Sequence, residues 1–596
     1  MSARVVGIDL GTTHTAVAIP NVGKDANGDE VIGVSVLPLA QHVAAGEVAP
    51  RDLLPSFVYL AHESEEGLSL PWDKKRRISV GEYARARGVD APLRLISSAK
   101  SWLSHAAVDR RAPLLPPASA EDIEKISPVE ATFRILEHAS EAYTHATGED
   151  LSQSKVYLTV PASFDAFARE LTVEAALAAG LEDVVLLEEP QAALYAWLDA
   201  KGEAWRKELR VGDVVLVVDV GGGTTDFSAI VVEDNGGNLE LRRVAVGDHI
   251  LLGGDNMDLL LAHEVEVRLS PDTPLDDAKR LSLIHACRSA KERLLSDAKV
   301  KEVPIALAGR GSKLVGSTLR TELKREDVER IVLDGFFPDV PREAAPLKRS
   351  RVGLRAVGLS YADDAAVTRH LSAFCARHGE AVHSDFLRPT CVLFNGGVMK
   401  SAPIRARLMA TLNGWLAALG APPARELSQA DYDLAVARGA AVYGLAREGK
   451  GIRIRAGAAR SYYIGIEGNA PAIPGVDPPL DLLCVVPFGL EEGTTRDYSE
   501  ILSLVVGEKA TFRFFGSPSR RTDAFASKRP LRGASGIDEL PAIEVELPAE
   551  GRTAGEEVPV RLRIDLTAIG TLKLFAIPIE PKTEDEAWEL EFSVRQ

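Results

Sequence analysis

Apolar residues change their spacing along this chain, and the changes mark out its elements. The first stretch reads as short strands and loops. Between residues 128 and 147, Val129, Phe133, Leu136, Ala139 and Tyr143 recur at helical intervals. A continuous apolar run then predicts a strand over 156–160, stopped by Pro161, which has no N–H to give to a ladder. A helix over about 164–179 closes at Gly180, a residue suited to the C-terminal cap. A strand over 184–187 leads into Glu188-Glu189-Pro190 and a helix carrying Ala192, Ala193, Tyr195, Ala196 and Leu198. This β-α-β-α order with continuous apolar strands predicts an α/β domain whose sheet is covered on its faces.

A second α/β half is expected from Val214, with helices near 259–269 and 276–295, a strand over 391–394 and a helix over 433–447. After Lys450 the helical spacing gives way to alternation. Val560, Leu562, Ile564 and Leu566 fall on one face and Arg561, Arg563 and Asp565 on the other; Trp588, Leu590, Phe592 and Val594 repeat the pattern. The domains expected are therefore 1–448, α/β; 449–462, a linker; and 463–596, an antiparallel β domain, read as a sandwich. A proline-rich loop is expected over 469–479, and the basic stretch 517–532 reads as a solvated tip rather than an anion site.

Composition narrows the class. A chain of 596 residues exceeds what one core holds, and 46% hydrophobic with 26% charged residues is an ordinary globular balance. With 69 Lys and Arg against 86 Asp and Glu, the net charge of −17 disfavours nucleic acid and anionic membranes as partners. Cys287, Cys375, Cys391 and Cys484 form no CxxC pair and read as buried thiols of a cytosolic protein. No apolar leader and no run of 18 apolar residues occurs, so a cytoplasmic location is expected.

One internal repeat matters most. Val5-Val6-Gly7-Ile8-Asp9-Leu10-Gly11-Thr12-Thr13 is a strand, an aspartate and a glycine–threonine turn before a second strand. The design returns in Val214 to Val218, Asp219-Val220-Gly221-Gly222-Gly223-Thr224-Thr225-Asp226 and the strand that follows. Glycine turns let backbone N–H groups converge on phosphate oxygens, threonine hydroxyls add donors, and a strand-end aspartate can hold Mg²⁺ through waters. Two such hairpins imply a cleft between related lobes that clamps a polyphosphate and its metal. No G-x-x-x-x-G-K-[ST] run is present, so this is not a P-loop design.

These segments resemble the heat-shock protein 70 chaperone family, whose ATPase belongs to the actin and hexokinase superfamily. The two hairpins resemble its two phosphate loops. Val160-Pro161-Ala162-Ser163-Phe164 with Arg169 resembles its proline–arginine segment, and Glu189-Pro190-Gln191-Ala192-Ala193 its connecting helix. Leu252-Gly253-Gly254-Asp255-Asn256-Met257-Asp258 is similar to a third glycine signature, Asn395-Gly396-Gly397 to the adenosine loop, and 433–441 to the last ATPase helix. The resemblance implies a two-lobed actin-like ATPase domain with ribonuclease-H-like halves, followed by a β-sandwich that binds extended peptide.

It also implies ATP or ADP with Mg²⁺, and residue roles. Asp9 and Asp219 would organise the metal shell, with Glu189 joining through water. Lys100 matches the catalytic lysine near the attacking water, and Glu189, Asp219 and Thr224 complete the catalytic set. Gly11, Thr12, Thr13, Gly221, Gly222, Gly223, Thr225, Asp226, Gly253, Gly254, Lys291, Gly396, Gly397 and Asp433 would contact the nucleotide, Asp226 helping to orient water or metal.

Several departures stand out. Arg288 replaces the acid expected on the ribose, and Val398-Met399-Lys400 replaces Ser-Thr-Arg beside the base, where only a guanidinium stacks. Residues 336–388 form an insertion whose aromatics read as core. The linker is basic where the family has an acid and leucines, and with the sequence ending at Gln596 the expectation is a client domain without a helical lid. The function expected is an ATP-hydrolysing chaperone-like protein that couples nucleotide state to unfolded or extended polypeptide, with a co-chaperone or nucleotide-exchange partner. The alternative is a nucleotide-responsive scaffold with little turnover. A sugar kinase or filament protein is disfavoured by the β domain and the Glu189-Pro190 signature.

Overall fold

The structure, a computed structural model, describes residues 4–24, 30–105, 108–119, 122–235, 238–248, 250–270, 274–307, 319–348, 359, 361–382, 384–429, 431–448, 454–455, 460–468, 479–488, 490, 494–517, 520, 522–534, 536–549, 551–567, 571–582 and 587–593. The chain forms two compact units, an α/β unit drawn from residues 1–453 and a β unit of 454–596 with which 165–167 and 242–244 are grouped. Most of the proposed linker (449–453 and 456–459), most of the proline-rich loop (469–478) and Val594 lie outside the described residues.

The α/β unit is built twice over. In its first half the strands run Asp183–Glu188, Lys155–Val160, Val5–Leu10, His14–Lys24 and Glu30–Val36 across one sheet. In its second half Arg425–Leu427, Cys391–Asn395, Val214–Val220, Thr225–Asn235 and Asn238–Val246 follow the same order. Each sheet pairs its hairpin strands antiparallel and its central strand in parallel with a later one. The central strands are buried along nearly all their length, which is why they read as unbroken apolar runs rather than alternating ones.

Two helices, Glu189–Lys201 and Ala435–Arg447, cross closely because the sequence removes side chains at the contact. A Cβ on Gly439 would stand 1.8 Å from the Ala192 carbonyl oxygen, and one on Gly7 would stand 2.4 Å from the Ala441 nitrogen. Ala16, Ala18, Ala437 and Ala441 continue this small-residue seam onto the first sheet. The helix Pro128–Thr147 starts from Ser127, whose hydroxyl accepts from the Glu130 N–H, and ends at Gly148 with φ 72°. Phe336, Phe337, Phe374 and Phe386 are buried, so the phenylalanines of the insertion are core, while Tyr361 is half-buried.

The β unit is a sandwich of two antiparallel sheets of five strands each. Ser461–Glu467, Leu480–Val486 and Lys509–Ser517 form the centre of one sheet, and Glu556–Leu566 and Thr571–Pro578 the centre of the other. Tyr462, Ile464, Leu483 and Val485 pack against Leu562, Ile564, Leu572 and Leu574. In the basic stretch, Arg520 and Arg529 both turn to the buried Asp523, at 2.9 and 2.6 Å. That pairing answers their charge internally. All four cysteines are buried and free. Among the described residues no helix is long and apolar enough to cross a membrane.

Candidate functional site

The two hairpins close in the same way. Gly11 N–H donates to the His14 carbonyl at 3.0 Å, and Gly221 N–H donates to the Thr224 carbonyl at 3.0 Å. Two residues before each turn stands the aspartate, and in each half the parallel neighbour strand holds it. Thr159 is in register with Asp9, and its hydroxyl donates to Asp9 Oδ1 at 2.9 Å. Asn395 is in register with Asp219, and its Nδ2 donates to Asp219 Oδ2 at 2.7 Å.

The tips of the hairpins meet. A Cβ on Gly222 would lie 2.4 Å from Thr13 Cγ2, and one on Gly223 would lie 2.3 Å from Ser101 Oγ and 3.0 Å from Thr12 Cγ2. The glycines are therefore required by the approach of one half to the other. Between them lies a cavity of about 560 Å³. Its wall contains Asp9, Gly11, Thr12, Thr13, Lys100, Glu189, Asp219, Gly221, Gly222, Thr224, Gly254, Lys291, Gly396, Gly397 and Asp433.

Four of the residues expected on the nucleotide stand behind this wall. Thr225 is fully buried and its hydroxyl donates to the Leu252 carbonyl at 2.7 Å, so it fastens the hairpin instead. Asp226 pairs across the ladder with Asp219 and accepts from the Ser163 hydroxyl. Gly223 is covered by Ser101, and Gly253 lies against the Gly221 and Gly222 carbonyls with its N–H given to Asn256 Oδ1 at 2.9 Å.

The cavity concentrates buried acid. Burial, and then the neighbouring Glu189 carboxylate, raises the Asp9 pKa to about 7. Burial also raises Asp219 well above the usual carboxylate range, again with Glu189 adding repulsion. Glu189 is raised by burial too, although the Lys100 ammonium donates to it and opposes the shift. Lys100 offsets only part of the charge of three such carboxylates, an arrangement that favours a bound cation. Among the described residues no three His, Cys, Asp or Glu side chains converge as a direct chelate. The donor set thus fits Mg²⁺ carried with its waters, the form in which that ion prefers to bind.

Comparison with known proteins bears on this geometry. The model of the family described as Hsp70 protein matches residues 97–342. "Chaperone protein HscA" of Cronobacter sakazakii is 34% identical over 313 residues, covering 50% of this chain and 43% of that protein. HscA of Enterobacter sp. (strain 638) is 32% identical over 380 residues, covering 58% of this chain and 53% of its own. The HscA homolog of Aeromonas salmonicida is 32% identical over 312 residues, 51% of this chain and 44% of its own. Over residues 97–342 the chain is similar to the Hsp70 family. It spans about half the length of the curated relatives it matches.

Further residues of the cavity wall are tied up by ion pairs. Arg288 is buried, gives Nε to Asp258 Oδ2 at 2.7 Å and a second N–H to Asp255, and lies 5.8 Å from the Phe57 ring centre. Lys291 donates to the Gly254 carbonyl at 2.9 Å and stands 2.7 Å from Asp258 Oδ1. Lys400 pairs with Asp433. Arg288 is therefore a structural clasp for the helix Gly254–Leu269 as well as a wall residue. The proline–arginine segment is also closed internally: the Arg169 guanidinium, 2% exposed, donates to the Pro161, Ala162 and Phe164 carbonyls and to Glu188.

Sequence reasoning gives Thr159 no part and Asn395 only a place in a loop. The available signal is one polar residue ending or interrupting an apolar strand, as in Val156-Tyr157-Leu158-Thr159-Val160 and Cys391-Val392-Leu393-Phe394-Asn395.

Proposed function

We propose that the protein is an ATP-hydrolysing chaperone whose α/β unit binds Mg²⁺-ATP between its two hairpins. The single observation that carries this reading is the convergence of Asp9, Asp219, Glu189 and Lys100 on one cavity beneath two glycine–threonine turns. Bound Mg²⁺ supplies charge neutralisation for the polyphosphate. The chain's own groups do the rest. With Gly11 and Gly221 closing the turns, N–H groups of Thr12, Thr13, Gly222 and Thr224 and the threonine hydroxyls bind phosphate oxygens, and Asp9 and Asp219 would orient the waters of a metal shell. Lys100, steadied by Glu189, orients the attacking water and offsets charge as the γ-phosphoryl departs. This is positioning and electrostatics, which is most of what phosphoryl transfer requires.

In the β unit, an extended polypeptide would add hydrogen bonds along a sheet edge and place alternate side chains in pockets. The relatives named as chaperones support that role, as does the antiparallel sandwich. Nucleotide state would bias client affinity by population shift, with a co-chaperone or exchange partner setting the cycle. Four buried free thiols support a cytoplasmic setting.

Single-turnover hydrolysis of ATP, measured with and without Mg²⁺ and with and without an unfolded client, tests the proposal. Mg²⁺-dependent turnover altered by client is expected. Tight ATP binding with no turnover would instead support a nucleotide-responsive scaffold.

A further inference from the structure

Ser98 opens the short helix Ala99–Leu103, which carries Lys100, yet it behaves as no ordinary first residue. Its backbone is left-handed, with φ 55° and ψ 32°; among the described residues only Ala526 shares a positive φ without being glycine. For a side chain with a Cβ that conformation is costly and persists only where the surroundings enforce it. Serine in this place usually turns its hydroxyl back onto the helix's free N–H groups, and Ser98 makes no such bond. The hydroxyl instead donates to Asp255 Oδ2 at 2.6 Å, 157 positions away in the other half of the unit, and the residue is 7% exposed.

Asp255 is itself fixed on two sides. Its N–H donates to the Gly222 carbonyl at 2.7 Å, which locks it to the tip of the second hairpin. Its other carboxylate oxygen accepts from Arg288, which the Asp258 carboxylate holds in turn. Ser98 thus joins the Lys100 helix to a rigid point on the phosphate loop of the opposite half. One helical residue beyond Lys100, Ser101 abuts Gly223 of the same loop.

We infer that Ser98 is a positioning residue: its cross-cleft bond to Asp255 sets Lys100 against the terminal phosphate, so the lysine is aligned only while the two halves are closed. The strain at Ser98 is the geometric consequence of turning the hydroxyl outward instead of capping the helix. Asp255, a residue the sequence leaves inside a glycine signature, becomes the anchor. The inference rests on the ATPase reading above.

Ser98→Gly and Ser98→Ala separate alignment from folding. Glycine accepts the left-handed backbone without strain, alanine keeps the strain, and neither has the hydroxyl. Both variants are expected to lose about tenfold in single-turnover hydrolysis, the size of effect that follows loss of a hydrogen bond to a charged acceptor. Mg²⁺-ADP affinity by calorimetry and the KM for ATP should stay within about twofold, and Ser98→Gly should melt no lower than the parent protein. Ser98→Asn, which tolerates the left-handed backbone and carries an amide donor in place of the hydroxyl, should keep more of the rate than either of those two variants. Ser98→Gly turning over at the parent rate, or losing rate only in step with affinity and melting temperature, would overturn the assignment. If the parent protein itself fails to hydrolyse ATP, the ATPase reading has failed instead, and the two results are distinct.

Discussion

Asn395 reaches Asp219 from directly across a parallel ladder, its amide 2.7 Å from one carboxylate oxygen. Thr159 makes the same approach to Asp9 at 2.9 Å in the other half. Each donor occupies one oxygen and leaves the other to the cavity. The Asn395 amide is itself oriented by Gln429, which donates to its oxygen at 3.3 Å. Replacing Asn395 with leucine keeps the volume and removes the donor. The expected result is that Mg²⁺ strengthens ADP binding about tenfold less than in the parent, on the scale of one charge-assisted hydrogen bond. ADP affinity in the presence of EDTA should not change. Titration calorimetry with and without Mg²⁺ reads both quantities, and an unaltered Mg²⁺ effect would leave Asn395 without this role.

Lys100 is 6% exposed and donates to Glu189, so its charge is held in place before any ligand arrives. Lys100→Ala should bind Mg²⁺-ATP within a few-fold of the parent and hydrolyse it on the order of 10²–10³ times more slowly, as when a fixed charge-stabilising donor is deleted elsewhere. Asp219→Asn should lose turnover and Mg²⁺ dependence together. Single-turnover rates beside equilibrium binding separate the two outcomes. A Lys100→Ala rate near that of the parent would remove the lysine from the reaction.

Much of this site was legible because both hairpins keep their chemistry in consecutive residues. A strand, an aspartate and a glycine–threonine turn can be recognised without knowing what surrounds them, and the buried central strands read plainly as unbroken apolar runs. Contacts set by register were not legible. Nothing in the spacing of Thr159 and Asp9, or of Ser98 and Asp255, says that they touch; each pair is joined only when strands and halves assemble. Thr225 shows the converse. It continues the motif in sequence, but alternation along the strand turns its hydroxyl to Leu252, whereas Asp226, in register with Asp219, stays on that residue's face of the sheet.

The crossing of the helices Glu189–Lys201 and Ala435–Arg447 leads to a prediction about stability. At Gly439 an added methyl group would lie 1.8 Å from the Ala192 carbonyl oxygen, a backbone atom that cannot swing aside. Gly439→Ala should therefore destabilise the unit by on the order of 1–3 kcal/mol, the usual cost of overpacking. Gly414, inside the helix Ala402–Ala418, has nothing within 4 Å of the same position. Gly414→Ala should instead stabilise by up to about 1 kcal/mol through helix propensity and reduced chain entropy. Opposite shifts of the urea midpoint are expected from the same chemical change. Matching shifts would contradict the close crossing.

His138 leads to a prediction about pH. Its ring is fully buried, its Nε2 lies 3.1 Å from the Ala40 carbonyl, and burial followed by the Arg76 charge lowers its pKa to about 3. The unfolded chain takes up a proton at this residue below about pH 6.5, whereas the folded chain does not until about pH 3. The contribution to stability is therefore complete above pH 6.5 and is lost as pH falls through that window, by about 1.4 kcal/mol per pH unit for one proton. His14, lowered to about 3, and His285, lowered to about 4, act with the same sign, while Asp9, raised to about 7, acts with the opposite sign. Comparison with His138→Gln cancels those other groups, and glutamine can still donate to the Ala40 carbonyl. Between pH 6 and pH 5 the parent should lose about 1.4 kcal/mol more than the variant in urea unfolding. Parallel losses would show that His138 is protonated in the folded protein.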